Sequence, residues 1–391
     1  MLAGSAKAGT APDRPATINP AQLARATSLA ADYLLAQVQS DGSFVYRINV
    51  DPAIEVRKRY NWLRHAGTLY SLADYYQVSK KPYVATAITR AANHMRTTAM
   101  APVKRFPGAW AVWTDPKVTG SKPPGSAKLG GAGLGLVALT ALQDITPESV
   151  PKLELEGLAR FIVAMQKPDG SYYSKYIPDE GGPNDDWVSL YYPGEAALGL
   201  TMLYEQDGNR DWLDGARRTL HFLSASRKDQ AKVPADHWAL IATARLWPHL
   251  DEADRAVFRR HARQVVNFML SEQVWEENSI ANGGFTPDGR TTPTATRLEG
   301  LLAAEFLFRD EPAFHRSIHV AINWGMRFML RAQIRQGRYR GGVRRAIARI
   351  RSSHPDAAKF NRRATEIRID YVQHALSAFI QFRKFQDLTA R

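Results

Sequence analysis

The sequence predicts an all-α fold. Six longer amphipathic segments alternate with six shorter ones rich in Gly, Ala and Leu, and each short segment opens on polar or glycine residues. No stretch shows the sustained apolar–polar alternation of an extended strand. A Gln-Asp-Gly turn recurs behind the longer segments, which marks an internal repeat.

The longer segments read as helices over Pro20–Val38, Pro82–Arg96, Pro151–Gln166, Arg210–Ser224, Asp251–Ser271 and Pro312–Gln333. In the last of these, Ile318, Ala321, Ile322, Met326, Met329 and Leu330 recur at the three-and-four spacing of one buried face. Asp251 and Pro312 are start signals, a side-chain cap and a proline fixed for the first turn.

Between them lie the short apolar segments. Arg64-His65-Ala66-Gly67 opens TLYSLADYY, and Gly130-Gly131-Ala132-Gly133 opens LGLVALTAL. Asp185–Tyr204 carries two acids, Trp187, Tyr191 and Tyr192 into a helix whose first turn holds Pro193 and Glu195. Asp236-His237-Trp238 opens ALIATARLW, Thr294–Arg297 opens LEGLLAAEFL, and Asp370-Tyr371 opens VQHALSAFI. Small residues suit helices that crowd together, and polar starts suit one shared open end.

The turns are Gln39-Ser40-Asp41-Gly42-Ser43-Phe44 and Gln166-Lys167-Pro168-Asp169-Gly170-Ser171-Tyr172, with weaker copies at Asn282–Phe285 and Arg340–Gly342. Glycine there ends a helix in the left-handed region. Twelve alternating helices with this Q-x-x-D-G-S-[FY] turn resemble the (α/α)6 toroid of six-hairpin glycosidase-like proteins, over roughly Pro20–Leu388. The resemblance implies an inner ring whose helix starts gather at one mouth, under a funnel of long loops. It also implies a carbohydrate-active enzyme, first of all a glycoside hydrolase. Sugar or uronyl epimerases, polysaccharide lyases and non-catalytic glycan-binding toroids are the alternatives on the same fold.

Composition sets the surroundings. The chain of 391 residues carries a formal charge of +14, which points to an anionic partner such as an acidic polysaccharide. Much of the excess falls in an Arg-rich insertion near 331–368, expected at the funnel rim. The toroid is expected as one domain over residues 20–391, behind a flexible tail over residues 1–19. No apolar run reaches the length of a membrane span. The absence of Cys excludes disulfides, thiolate zinc sites and a Cys nucleophile. No phosphate-binding loop, RNA-recognition signature or recognition helix supports a specific nucleic-acid partner. Ser5-Ala6-Lys7-Ala8 is similar to the end of a signal peptide without its apolar core, which tilts the compartment toward the periplasm or exterior.

Glycoside hydrolysis takes one carboxyl that donates a proton and one that stays ionised. Glu195 is the expected donor, since burial against an apolar helix raises a carboxyl pKa while the helix dipole opposes the shift. Asp236 and Asp186 are the expected bases, with Glu299 and Asp370 in reserve. Asp236 also reads as an ordinary helix cap, and Glu299 as a partner for Arg297 or Arg64. Arg64, His65, Trp187, Tyr191, Tyr192, His237, Trp238, Arg297 and Glu299 are expected to hold the sugar, the aromatics by stacking on its rings. His315 and His319 share one face of an outer helix, but Arg316 stands where a zinc protease has its Glu, so no metal site is expected. No cofactor-binding signature appears.

Overall fold

A computed structural model describes residues 11–389. Six helical hairpins follow one another. α1 (Pro20–Ala36) and α2 (Trp62–Ser79) form the first. α3 (Pro82–Ala99) leads through the single turn α4 (Pro116–Thr119) to α5 (Leu129–Gln143). α6 (Lys152–Ala164) pairs with α7 (Tyr192–Asp207), α8 (Arg210–Arg227) with α9 (His237–Leu246), and α10 (Glu252–Ser271) with α11 (Thr291–Ala304). α12 (Pro312–Ala332) reaches α14 (Ile369–Thr389) through the short α13 (Ala357–Ala364). The inner helices α2, α5, α7, α9, α11 and α14 pack each on the next, and α14 closes back on α2. The fold is the all-α (α/α)6 toroid, and no described helix is long and apolar enough to cross a membrane.

Small residues let the inner ring close. A Cβ on Gly133 would lie 2.9 Å from the backbone of Glu195 and Ala196, and one on Gly199 2.9 Å from the Gly133 carbonyl. The α5 and α7 backbones therefore touch through reciprocal glycines. Every residue of α5 from Leu129 to Leu142 is buried.

The repeated turn staples the outer ring. Gly42, Gly170, Gly283 and Gly341 all have φ between 84° and 90°, where only glycine rests without strain. A Cβ on each would collide with a carbonyl of the next outer helix, those of Arg90, Arg218, Trp324 and Leu29. The Gln at the turn completes the joint. Gln166 Nε2 donates to the Gly215 carbonyl at 3.0 Å, Gln273 Nε2 to Ala321 at 2.9 Å and Gln333 Nε2 to Ala26 at 2.8 Å. The last of these ties α12 to α1 and closes the outer circle.

Among the described residues, strands occur only in the loops. β1 (Arg47–Asn49) stands near the mouth. β2 (Met100–Pro102), β3 (Trp110–Thr114), β4 (Ser126–Lys128), β5 (Lys175–Ile177) and β6 (Gly182–Asn184) form one antiparallel sheet, and β7 (Glu366–Arg368) pairs with β1. A five-stranded loop sheet was not apparent in the sequence, because strands of three to five residues are too short to show a period of two. One of its joins brings together loops about fifty residues apart, with Ala127 opposite Tyr176.

Of the expected N-terminal tail, residues 1–10 lie outside the described residues. Ala16 and Ile18 are buried, and the Trp324 indole donates to the Arg14 carbonyl at 3.2 Å.

Candidate active site

All six inner helices send side chains from their first two turns into one cavity of about 600 Å³ at the mouth. Arg64 comes from α2, Leu134 from α5, Tyr192 and Glu195 from α7, and His237 and Trp238 from α9. Thr296 and Arg297 come from α11, and Asp370, Gln373 and His374 from α14. Arg345, Arg363 and Arg368 close one side. A second space of about 920 Å³ adjoins it and shares Asn61, Leu63, Arg64, Arg363 and Arg368. Its lining carries nine cationic side chains, Lys128, Lys359 and seven Arg, against Glu55 and Glu366, so the approach to the cavity is basic.

Glu195 lies on the cavity, yet it is buried to 4% exposure and its Oε2 has no hydrogen-bond partner. Room for that oxygen exists because residue 130 is glycine, whose Cβ would collide with it and with the Tyr192 ring. Burial, and after it the charge of Asp236, push the Glu195 pKa well above the ordinary carboxyl range. Glu195 therefore holds its proton more tightly than an ordinary carboxyl does.

His237 is its counterpart on the next helix. Only 2% exposed, it leaves both ring nitrogens without a hydrogen-bond partner, with Nε2 3.9 Å from Glu299 Oε2 and the ring between those of Tyr191 at 5.2 Å and Trp238 at 5.0 Å. Burial, then the positive charge of His374, hold its pKa well below that of a free imidazole, so the ring is neutral. His374 follows the opposite rule. Burial would lower its pKa, but Glu299, whose Oε2 lies 2.7 Å from Nδ1, outweighs that and raises it. His237, Glu299 and His374 bring ligand atoms within 4.8 Å of one another, a spacing that suits a shared proton or a bound cation.

Asp370 is the ionised acid of the cavity. Arg368 grips it through two nitrogens, at 2.5 and 2.8 Å, and Arg64 Nε adds a third contact at 3.1 Å. Burial alone would raise its pKa, yet these charges bring it down to about 2. Arg64 in turn donates to the Tyr46 hydroxyl at 2.6 Å.

The cavity gathers Arg64, Trp187, Tyr191, Tyr192, Glu195, His237, Trp238 and Arg297, all expected there from the sequence. Four expected residues lie off its lining. Asp236 is fully buried behind the wall, where it accepts from Arg227 Nη2 at 2.7 Å and caps α9 through the Ala239 N–H at 3.1 Å. Asp186 stands on an exposed loop and takes a hydrogen bond from Asn184 at 3.0 Å. His65 is shut in the core with Tyr60 OH 2.7 Å from Nδ1 and the Ala91 carbonyl 2.9 Å from Nε2, so neither nitrogen is left for a sugar. Glu299 pairs with His374 instead of Arg297, whose Nε turns to Glu272 at 2.9 Å.

Arg345 was not singled out for the cavity by the sequence. Its Nη1 is buried with no partner, and its guanidinium rests on the Phe360 ring at 4.8 Å. The only signal was membership of the Arg-rich run, and the structure divides that run. Arg345, Arg363 and Arg368 face the cavity, whereas Arg349 pairs with Asp51 at 2.6 Å and Arg331 with the Asn282 carbonyl at 2.8 Å.

No protein-family model matches the chain, and no curated protein matches it in sequence. Solved structures do. Cellobiose 2-epimerase from Spirochaeta thermophila superposes with a TM-score of 0.64 at 15% identity, over 96% of this chain and 100% of that one. D-mannose isomerase gives 0.64 at 12%, over 94% and 99%. An unsaturated glucuronyl hydrolase specific for heparin gives 0.61 at 13%, over 94% and 99%. The chain thus shares the helical toroid fold of these structures over 94–96% of its length. At these identities the likeness establishes the fold.

Proposed function

We propose that this protein is a carbohydrate-active enzyme that moves a proton at the carbon beside a sugar carboxylate, within an acidic polysaccharide or oligosaccharide. One observation carries the reading: Glu195 and His237, which both line the cavity, are buried with polar atoms that lack a hydrogen-bond partner, and burial favours the neutral form of each. A neutral imidazole is a base and a neutral carboxyl an acid, so the site holds both ends of a proton transfer. His237 takes the C–H proton. Glu195 returns one to the opposite face, which inverts the centre, or delivers it to the leaving oxygen, which breaks the chain by elimination. Arg345, with its free Nη1, pairs with the sugar carboxylate and lowers the cost of charge developing beside it. The basic approach draws an acidic chain toward the mouth. Among the fold's neighbours are two epimerases or isomerases and a hydrolase specific for heparin, an acidic glycan.

Glycoside hydrolysis is the second reading, favoured by the raised pKa of Glu195. It takes an ionised carboxylate to activate water, and Asp370, the ionised acid on the cavity, is already committed to Arg64 and Arg368.

Incubating the protein with a panel of uronic-acid polysaccharides in D2O separates the readings. Deuterium at the carbon beside the carboxylate, seen by NMR with or without an unsaturated product, is the expected result. New reducing ends without deuterium would mean hydrolysis. Neither signal on any acidic glycan would remove the proposal.

A further inference from the structure

A second cluster lies far from the mouth. The 3-10 turn Glu305–Phe308 continues α11 at its inner end, roughly 20 Å down the helix from the cavity by the rise of 1.5 Å per residue. Glu305 there meets His315 and His319, one turn apart on α12 and therefore on one face of it.

Their contacts cannot all be satisfied by protons. His315 Nε2 lies 2.9 Å from Glu305 Oε2 and also 3.1 Å from His319 Nε2, which is itself 4.0 Å from the same oxygen. If His315 Nε2–H donates to the carboxylate, the His319 nitrogen faces another nitrogen with no hydrogen directed at it. If both nitrogens carry protons, the two N–H groups point at each other. A cation between the three atoms accepts a lone pair from each.

We propose that Glu305, His315 and His319 bind a divalent transition-metal ion, zinc by its donor set, that clamps α12 to the end of α11. Bonds of about 2.0–2.1 Å in tetrahedral array set ligand atoms roughly 3.3 Å apart, and the three separations of 2.9, 3.1 and 4.0 Å bracket that value. Two imidazoles with one carboxylate favour zinc over calcium or magnesium, which take oxygen ligands. Arg309 holds the other carboxylate oxygen through Nη2 at 2.6 Å, with Nε at a looser 3.4 Å from Oε2, and so fixes the plane of the carboxylate beside the His pair. Phe385 packs edge-on against the His319 ring at 4.7 Å and fixes its plane. His315 and His319 keep 21% and 23% of their side-chain surface, so the fourth position is open to water.

The test uses the whole chain, stripped with a chelator and titrated with zinc by calorimetry and thermal unfolding. Zinc a hundredfold above its Kd should raise Tm by about 3 °C for a chain of this length. Changing His319→Ala, or more gently His319→Gln, should weaken binding more than a hundredfold, beyond the loss of about 10–100-fold that follows removal of an outer-shell partner. His374→Ala, at the cavity, should leave it in place. If the His319 variants fold poorly, the zinc absorption edge of His374→Ala decides, since it should report two imidazoles and oxygen. Zinc that leaves wild-type Tm unmoved overturns the proposal. So does binding lost only in His374→Ala, or an edge without imidazole.

Discussion

The starts of α7 and α9 present the same chemistry to opposite ends. Each is an inner helix entered through an acid, and each acid is buried, Glu195 to 4% and Asp236 to 0% exposure. Asp236 is fully engaged, with Arg227 on one oxygen and the Ala239 N–H on the other. Glu195 has an oxygen that meets no donor. A buried polar group without a partner costs stability. The pair therefore teaches that a buried carboxyl at a helix start is fully satisfied when the neighbouring outer helix brings a cation, and keeps an unpaired oxygen when it does not. The two histidines repeat the lesson. His65 is hydrogen-bonded at both nitrogens, and His237 at neither.

The sharpest way to break this contrast is to neutralise each acid in turn. Glu195→Gln should cut turnover on the responsive glycan by about a hundredfold or more, the usual loss for a general acid, with the circular dichroism spectrum unchanged. Asp236→Asn should act mainly on stability. It leaves the Arg227 guanidinium buried without its counter-charge and should cost about 3–5 kcal/mol in denaturant melts. If Asp236→Asn matched Glu195→Gln in turnover while keeping wild-type stability, the two starts would not differ in kind.

The pH dependence of stability gives a second contrast. Glu195 has a folded pKa raised above its unfolded value of about 4.5. The folded state then binds the proton more tightly, so this contribution is whole below pH 4.5 and is lost as pH rises toward the folded pKa. Glu195→Gln should remove that slope and melt higher than wild type under mildly alkaline conditions. Asp370 runs the other way. Its folded pKa of about 2 lies below the ordinary 3.8, so its contribution is present above pH 3.8 and lost as pH falls toward 2.

Space at Glu195 can be tested without touching the acid. A methyl group at residue 130 falls on the Glu195 carboxyl and the Tyr192 ring, so Gly130→Ala should lower turnover by roughly tenfold, in line with the loss from a small misplacement near reacting groups. Smallest is the effect of charge on binding. Affinity for an acidic glycan should fall as salt rises. Arg345→Ser should weaken it and flatten that dependence, whereas Arg349→Ser, whose partner is Asp51, should do neither. Equal effects from both would mean that the basic mouth works as a diffuse field.

The chain alone determined the architecture, and the reason is local. The outer helices begin at Pro20, Pro82, Arg210 and Pro312 as read from caps and prolines, and the remaining starts fall within one residue of the expected ones. The Gln-Asp-Gly turn was visible because its glycines need a backbone conformation that few other residues adopt. Its purpose was not visible, since the carbonyls it meets belong to helices about fifty residues onward or, for Gly341, at the other end of the chain. The site divides along the same line. Glu195, His237, Tyr192 and Arg64 could be chosen because the starts of inner helices share one mouth. That Asp236 and His65 are satisfied, that His374 pairs with Glu299, that Arg345 is free and that Glu305 reaches two histidines are decisions of the tertiary structure. A side chain's protonation and reactivity depend on which partner stands within about 3 Å, and only the closing of both rings sets those distances.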